Sequence, residues 1–101
     1  MLEQIFSGLG AGYIAGAIEK ETSFYFTFGD LKKTVIISRD SCRVADGKIQ
    51  EEVDCVCKTD RDFFLKIWNE GYRPGMTDFM SGKIKSNDPF KLKMFLSAFG
   101  K

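Results

Sequence analysis

Residues 53–71, VDCVCKTDRDFFLKIWNEG, decide the architecture of this chain. As far as Thr59 the pattern has period two, with Cys55 and Cys57 on one face, which reads as a strand. Thr59 stands three residues ahead of Asp62, a capping-box-like start, and Gly71 is a helix stop. Between them Phe63, Phe64, Leu65, Ile67 and Trp68 occupy a little over half of a helix circumference. A strand that hands directly to so apolar a helix calls for a sheet with helices laid over it, an α+β arrangement.

The strands upstream supply that sheet. Phe24, Phe26 and Phe28 share one strand face, Gly29-Asp30 is a two-residue turn, and LKKTVIIS is a returning strand rich in β-branched residues. Asp40-Ser41 marks a further reversal, SCRVADGKIQ carries the Asp46-Gly47 turn signal, and residues 53–59 close the run. Four strands joined by short turns are expected to form an antiparallel meander whose Phe face needs a cover. Ahead of them, MLEQIFSGLGAGYIAGAIEKE has apolar residues from Leu2 to Ile18 at helical spacing, which predicts an amphipathic helix despite four glycines. Gly8, Gly12 and Gly16 in that segment would let backbone pass close over a sheet, or bend and fray the helix.

Downstream, Pro74 opens a short helix carrying Met76, Phe79 and Met80, which stops at Gly82. KIKS is a fifth strand with Lys83 and Lys85 on the face opposite Ile84. Asp88 followed by Pro89 is an N-cap acid with proline at the first helical position. Along the last helix Phe90, Leu92, Met94, Phe95, Leu96, Ala98 and Phe99 cover about two-thirds of the circle. One neighbour does not need so wide an apolar face, so this helix should meet the sheet and a second apolar surface.

Composition narrows the functions. A chain of 101 residues with 44% hydrophobic residues and ten Phe is sized for one domain, 1–101, with a packed core. Its net charge of +1 argues against a nucleic-acid partner, and its lysines are split between one strand and one helix rather than aligned into a phosphate track. The chain has no histidine, which removes Ser-His-Asp and Cys-His catalysis and the H-E-x-x-H metal helix. Paired acids, Glu51 with Glu52 and Asp60 with Asp62, read as turns, caps and solvated faces, so no catalytic residue is expected. Three cysteines without a secretory leader point to reduced thiols and a cytoplasmic location, and the Cys55/Cys57 pair lacks the ligands for a metal site. The uncharged run from Gln4 to Ile18 is short for a membrane span.

The order of VDCVCKTDRDFFLKIWNEG, Pro74, Phe79, GKIKSND and an apolar terminal helix resembles the sterol carrier protein 2 family of lipid-binding domains. Asp54, Gly71, Pro74, Phe79, Gly82, Lys83 and Lys85 carry the likeness, which runs from about Asp54 to Phe99 and is looser over the meander. The resemblance implies an α+β domain with a five-stranded, mainly antiparallel sheet, helices covering one face, and a lipid cavity between them. It also implies non-catalytic binding or transfer of a sterol, fatty acid, fatty acyl-CoA or isoprenoid without a cofactor.

An excess of Phe and Met on the helices agrees with that function, since Met adapts to chains of varied shape. The expected lipid contacts are Phe64, Trp68, Met76, Phe79, Met80, Phe90, Met94, Phe95 and Phe99, with Lys83 and Lys85 steering an anionic head group. Each of these residues also has a simpler reading, core packing for the apolar ones and a solvated strand edge for the lysines. The alternative function is a protein-interaction or dimerisation module of the same fold with a filled core, accessory to a lipid-processing enzyme. Its seam would be the glycine-spaced first helix and the two-sided last helix. The expected partner is thus a lipid ligand, with transient membrane contact and a homodimer left open.

Overall fold

The computed structural model describes residues 2–101, so Met1, the first residue of the expected N-terminal helix, lies outside the described residues. Strands β1 (Thr22–Phe28), β2 (Leu31–Ile37), β3 (Cys42–Asp46), β4 (Cys55–Thr59) and β5 (Ile84–Ser86) form one sheet in the order β3-β2-β1-β4-β5. Helices α1 (Leu2–Ser7), α2 (Leu9–Gly12), α3 (Arg61–Glu70), α4 (Met76–Met80) and α5 (Pro89–Ala98) complete the fold. It is α+β, with a sheet that is mainly antiparallel.

The expected four-strand meander is corrected at β4. Strands β1, β2 and β3 are antiparallel neighbours, with Phe24 opposite Val35 and Val35 opposite Val44. The chain then crosses back, and β4 pairs with the far side of β1 in parallel, Phe24 opposite Cys55 and Phe26 opposite Cys57. Residues 47–54 make that crossing over the face opposite the phenylalanines. There the Thr34 hydroxyl donates to the Gly47 carbonyl at 2.6 Å, and the Lys48 ammonium lies 5.6 Å from the centre of the Tyr25 ring. The physical reason lies in β4, whose apolar residues cannot sit at an edge and gain neighbours on both sides between β1 and β5. At the strand's entrance Asp54 accepts from the backbone N–H and hydroxyl of Ser23, tying the two parallel strands together.

The helices lie on the Phe face. Phe6 of α1 packs against Phe26, Phe28 and Phe64, while Phe95 of α5 packs against Phe24 and Phe26. All six rings are buried, so the space between sheet and helices is filled by an aromatic layer.

The N-terminal helix expected to reach Ile18 ends earlier. After α2 the chain leaves the helix at Tyr13, which is extended and whose hydroxyl donates to the Ser38 carbonyl at 2.8 Å, and the Ile14 N–H donates to the Ala98 carbonyl before a turn at residues 15–16. Gly16 makes that turn at a left-handed φ of 85°, and Gly10 permits close approach, since a Cβ there would stand 3.3 Å from the Cys42 carbonyl oxygen. The cap of α3 also moves one residue from the expected Thr59, because Asp60 accepts from the Phe63 N–H at 2.7 Å. The start of α5 is as read, with Asp88 accepting from the Lys91 N–H and Pro89 in the first turn.

Candidate functional site

Helix α3 ends at Gly71, which adopts a left-handed φ of 71° and turns the chain sharply into residues 72–75. That loop is held from one point. The buried Asp78 carboxylate accepts from the Tyr72 hydroxyl at 2.6 Å and from the Gly75 N–H at 2.9 Å. Both bonds favour the ionised form, so the Tyr72 hydroxyl first, and the Gly75 amide after it, hold the Asp78 carboxyl below the usual carboxylate range. The same contact pushes the Tyr72 phenol up. The Tyr72 ring is further fixed by an edge contact with Phe63 and by the Lys66 ammonium 4.4 Å from its centre.

This anchored loop, α3 and α5 enclose a groove of about 220 Å³. Ile67 and Leu96 form an apolar floor, Tyr72 and Pro74 a wall, and Arg73, Lys93, Ser97 and Lys101 the polar rim. Three of the rim side chains are cations and no Asp or Glu lines the groove. A second, more open groove of about 320 Å³ is bordered by α1 and α2, with Ile5, Leu9 and Gly12 among its lining beside Trp68 and Phe99. The Trp68 and Phe99 rings stand 5.7 Å apart on its wall, and Lys101 borders both grooves with its ammonium 4.8 Å from the Trp68 ring centre. Ligand pockets run about 300–1,000 Å³, so the first groove alone is small and the two together would be ample.

The expected lipid contacts divide into three groups. Phe64, Phe95 and Phe99 are buried, and Trp68 and Phe79 are half-buried against the same core. Met76, Met80 and Phe90 are about four-fifths exposed, at 78%, 81% and 77%, and Met94 is 39% exposed. Of the nine, Trp68 and Phe99 border a groove. Lys83 and Lys85 are exposed at and beside β5 and do not line either groove. The residues missed from sequence are Ile67, Tyr72, Arg73, Pro74, Lys93, Leu96, Ser97 and Lys101. The available signal was helical phase, since Lys93, Leu96 and Ser97 fall on one side of α5, at the edge of its apolar face.

The cysteines have no such surface. Cys55 and Cys57 are buried and Cys42 is half-buried, and burial raises all three thiols, Cys42 to about 11.

No protein-family profile and no curated protein sequence matches the chain. Solved structures do. The stereoselective inverting sec-alkylsulfatase Pisa1 from Pseudomonas sp. superposes with a TM-score of 0.84 at 15% identity, over 100% of this chain and 16% of the sulfatase. This chain therefore spans about a sixth of that enzyme. A ubiquinone synthesis protein, UbiJ-SCP2, matches with a TM-score of 0.66 at 10% identity, over 95% of this chain and 88% of that one. A conserved protein from Thermus thermophilus, TT1886, described as a candidate sterol carrier protein, matches at 0.51 and 11% identity over 87% and 73% of the two chains. The fold is thus the sterol-carrier-protein-2-like α+β fold.

Proposed function

We propose that the chain binds a lipid-like amphiphile without chemistry, with an anionic head at the Arg73, Lys93 and Lys101 rim and its chain over Ile67 and Leu96. The observation that carries the reading is the pairing of an apolar floor with three cationic side chains and no Asp or Glu in one groove. Each CH₂ of the chain covered on that floor contributes about 0.8 kcal/mol, so about six covered methylenes supply roughly 5 kcal/mol gross, before association costs. The solved neighbours support this class of ligand, since one is a ubiquinone synthesis protein, one a candidate sterol carrier and one acts on sec-alkyl sulfates, which are anionic amphiphiles. Fatty acids, fatty acyl-CoAs, sterols and isoprenoids are the ligand classes to test, in the cytoplasm and without a cofactor.

The test is native mass spectrometry of freshly purified protein, with extraction of any bound lipid, followed by titration with a fluorescent fatty acid and its methyl ester. Replacing Arg73 or Lys93 with Gln should weaken the acid by up to about fivefold each, the scale of an exposed charge pair, and leave the ester unchanged. No uptake of either probe, or equal loss for both, sinks the reading.

A second reading is favoured by the aromatic layer that fills the space between sheet and helices. In it the domain is an interaction module whose core admits no ligand. A bare protein that takes up neither probe supports that reading.

A further inference from the structure

We propose that the outward face of α5 is a docking surface for an anionic lipid bilayer. At about 100° per residue, Phe90 and Met94 lie side by side at the centre of that face, with Lys93 on one flank and Lys91 on the other. Phe90 is 77% exposed and Met94 39%, on a helix that has no acidic residue. Helix α4, joined to α5 through the three-residue β5, presents Met76 and Met80 one turn apart and almost wholly exposed. Met76, Met80 and Phe90 are large apolar side chains left mostly in solvent, and Met94 is partly so, whereas Leu92, Phe95 and Leu96 of α5 are buried in the core.

Charge identifies the occupant. Residues 79–101 hold five lysines against one acid, Asp88, and the rest of the chain carries an excess of three negative charges. Asp88 and Lys91 form an ion pair, Asp88 accepting from the Lys91 N–H and ammonium, so that pair is neutral and the other four lysines supply the segment's positive excess. The acidic residue of α4, Asp78, is buried and engaged by Tyr72 and Gly75. An apolar centre ringed by lysines is the pattern of an interfacial helix, where Phe and Met enter the acyl boundary and Lys ammonium groups reach anionic head groups. A second copy fits poorly, because a two-fold contact would set this positive surface against itself.

Phe90, Met94, Met76 and Met80 lie outside the groove lining and only Lys93 is shared with its rim, so the apolar part of the surface stands whether or not the groove takes a ligand. The test is flotation of the intact chain with phosphatidylserine-containing and with purely phosphatidylcholine vesicles, at low and high salt. The wild type should bind the anionic vesicles, lose binding as salt rises, and bind the neutral ones weakly. The double variant Phe90→Ser/Met94→Ser, altered at exposed positions, should bind anionic vesicles about tenfold or more weakly. It should still take up a fluorescent fatty acid as the wild type does, which separates docking from the groove. Absent binding to anionic vesicles, undiminished binding by the double variant, or equal binding to neutral vesicles overturns the proposal. So does a wild-type dimer that the double variant loses while neither protein floats.

Discussion

Replacing Phe95 with Ala asks whether the space between sheet and helices is solid. The Phe95 ring is fully buried, with Phe26 at 4.8 Å, Phe24 and Phe99 at 5.0 Å and Trp68 at 6.3 Å between ring centres. Truncating a packed Phe to Ala costs about 3–5 kcal/mol, and four rings losing one partner place this site near 4 kcal/mol. That is a large share of the roughly 5–15 kcal/mol by which a domain is stable, and at about 4–8 °C per kcal/mol it lowers Tm by roughly 15–30 °C. The milder Phe95→Leu should cost about 1–2 kcal/mol and keeps the site measurable if the alanine variant unfolds. Urea unfolding can be followed by the fluorescence of Trp68, the chain's single tryptophan, whose ring touches the altered position. If the alanine variant folds, an aliphatic alcohol should raise its midpoint more than the wild type's, because the new cavity is apolar. A loss under about 1 kcal/mol for Phe95→Ala would refute a filled interior and point to an open cavity already present.

Two further outcomes follow from the loop anchor and the thiols. The folded pKa of Asp78 lies below the ordinary 3.8, so its contribution is present above the unfolded pKa and is lost as pH falls through the folded value. Asp78→Asn should therefore be less stable than wild type at neutral pH and lose less stability on acidification below about pH 4; equal acid slopes in urea melts would contradict the anchor. Raised thiol pKa values at Cys42, Cys55 and Cys57 predict slow reaction with a disulfide reagent at pH 8, slowest at buried Cys55 and Cys57, and fast reaction of all three in denaturant. Rapid labelling of the native protein at all three would mean that the sheet opens far more readily than its packing allows.

Local chemistry was the part of the fold legible in sequence. The Gly29-Asp30 hairpin, the Asp88-Pro89 start and the Gly71 stop each depend on a few adjacent residues and stand where they were expected. Pairing across the chain was less legible. Nothing local to residues 47–54 shows whether they turn back beside β3 or cross beneath β2 and β1, because that choice is made by the burial demand of β4. The N-terminal helix misled because periodicity from Leu2 to Ile18 is satisfied by alternate means. Leu2, Phe6 and Leu9 are buried from short helices, while Ile18 is buried from a non-helical stretch of turn and bend. Groove residues were hardest, since Arg73 and Pro74 line it from a loop whose path is set by a hydrogen bond from Tyr72 to Asp78, six residues on.

The two-sided apolar character of α5 is the clearest case of a sequence signal whose meaning needed three dimensions. Its apolar residues cover too much of the circle for one neighbour, and the structure resolves them into separate stripes. Leu92, Phe95, Ala98 and Phe99 close the core, Leu96 lies between core and groove beside Lys93 and Ser97, and Phe90 and Met94 face outward. A helix serving only the core would need one of these stripes. Substituting the outward pair leaves the buried stripe intact, so the face can vary independently of the fold. Phe and Met stand there beside lysines, where Glu, Gln or further Lys would be more soluble. Those exposed apolar side chains are the ground for the proposed docking surface, and the positive charge of residues 79–101 is what favours an anionic lipid surface as its partner.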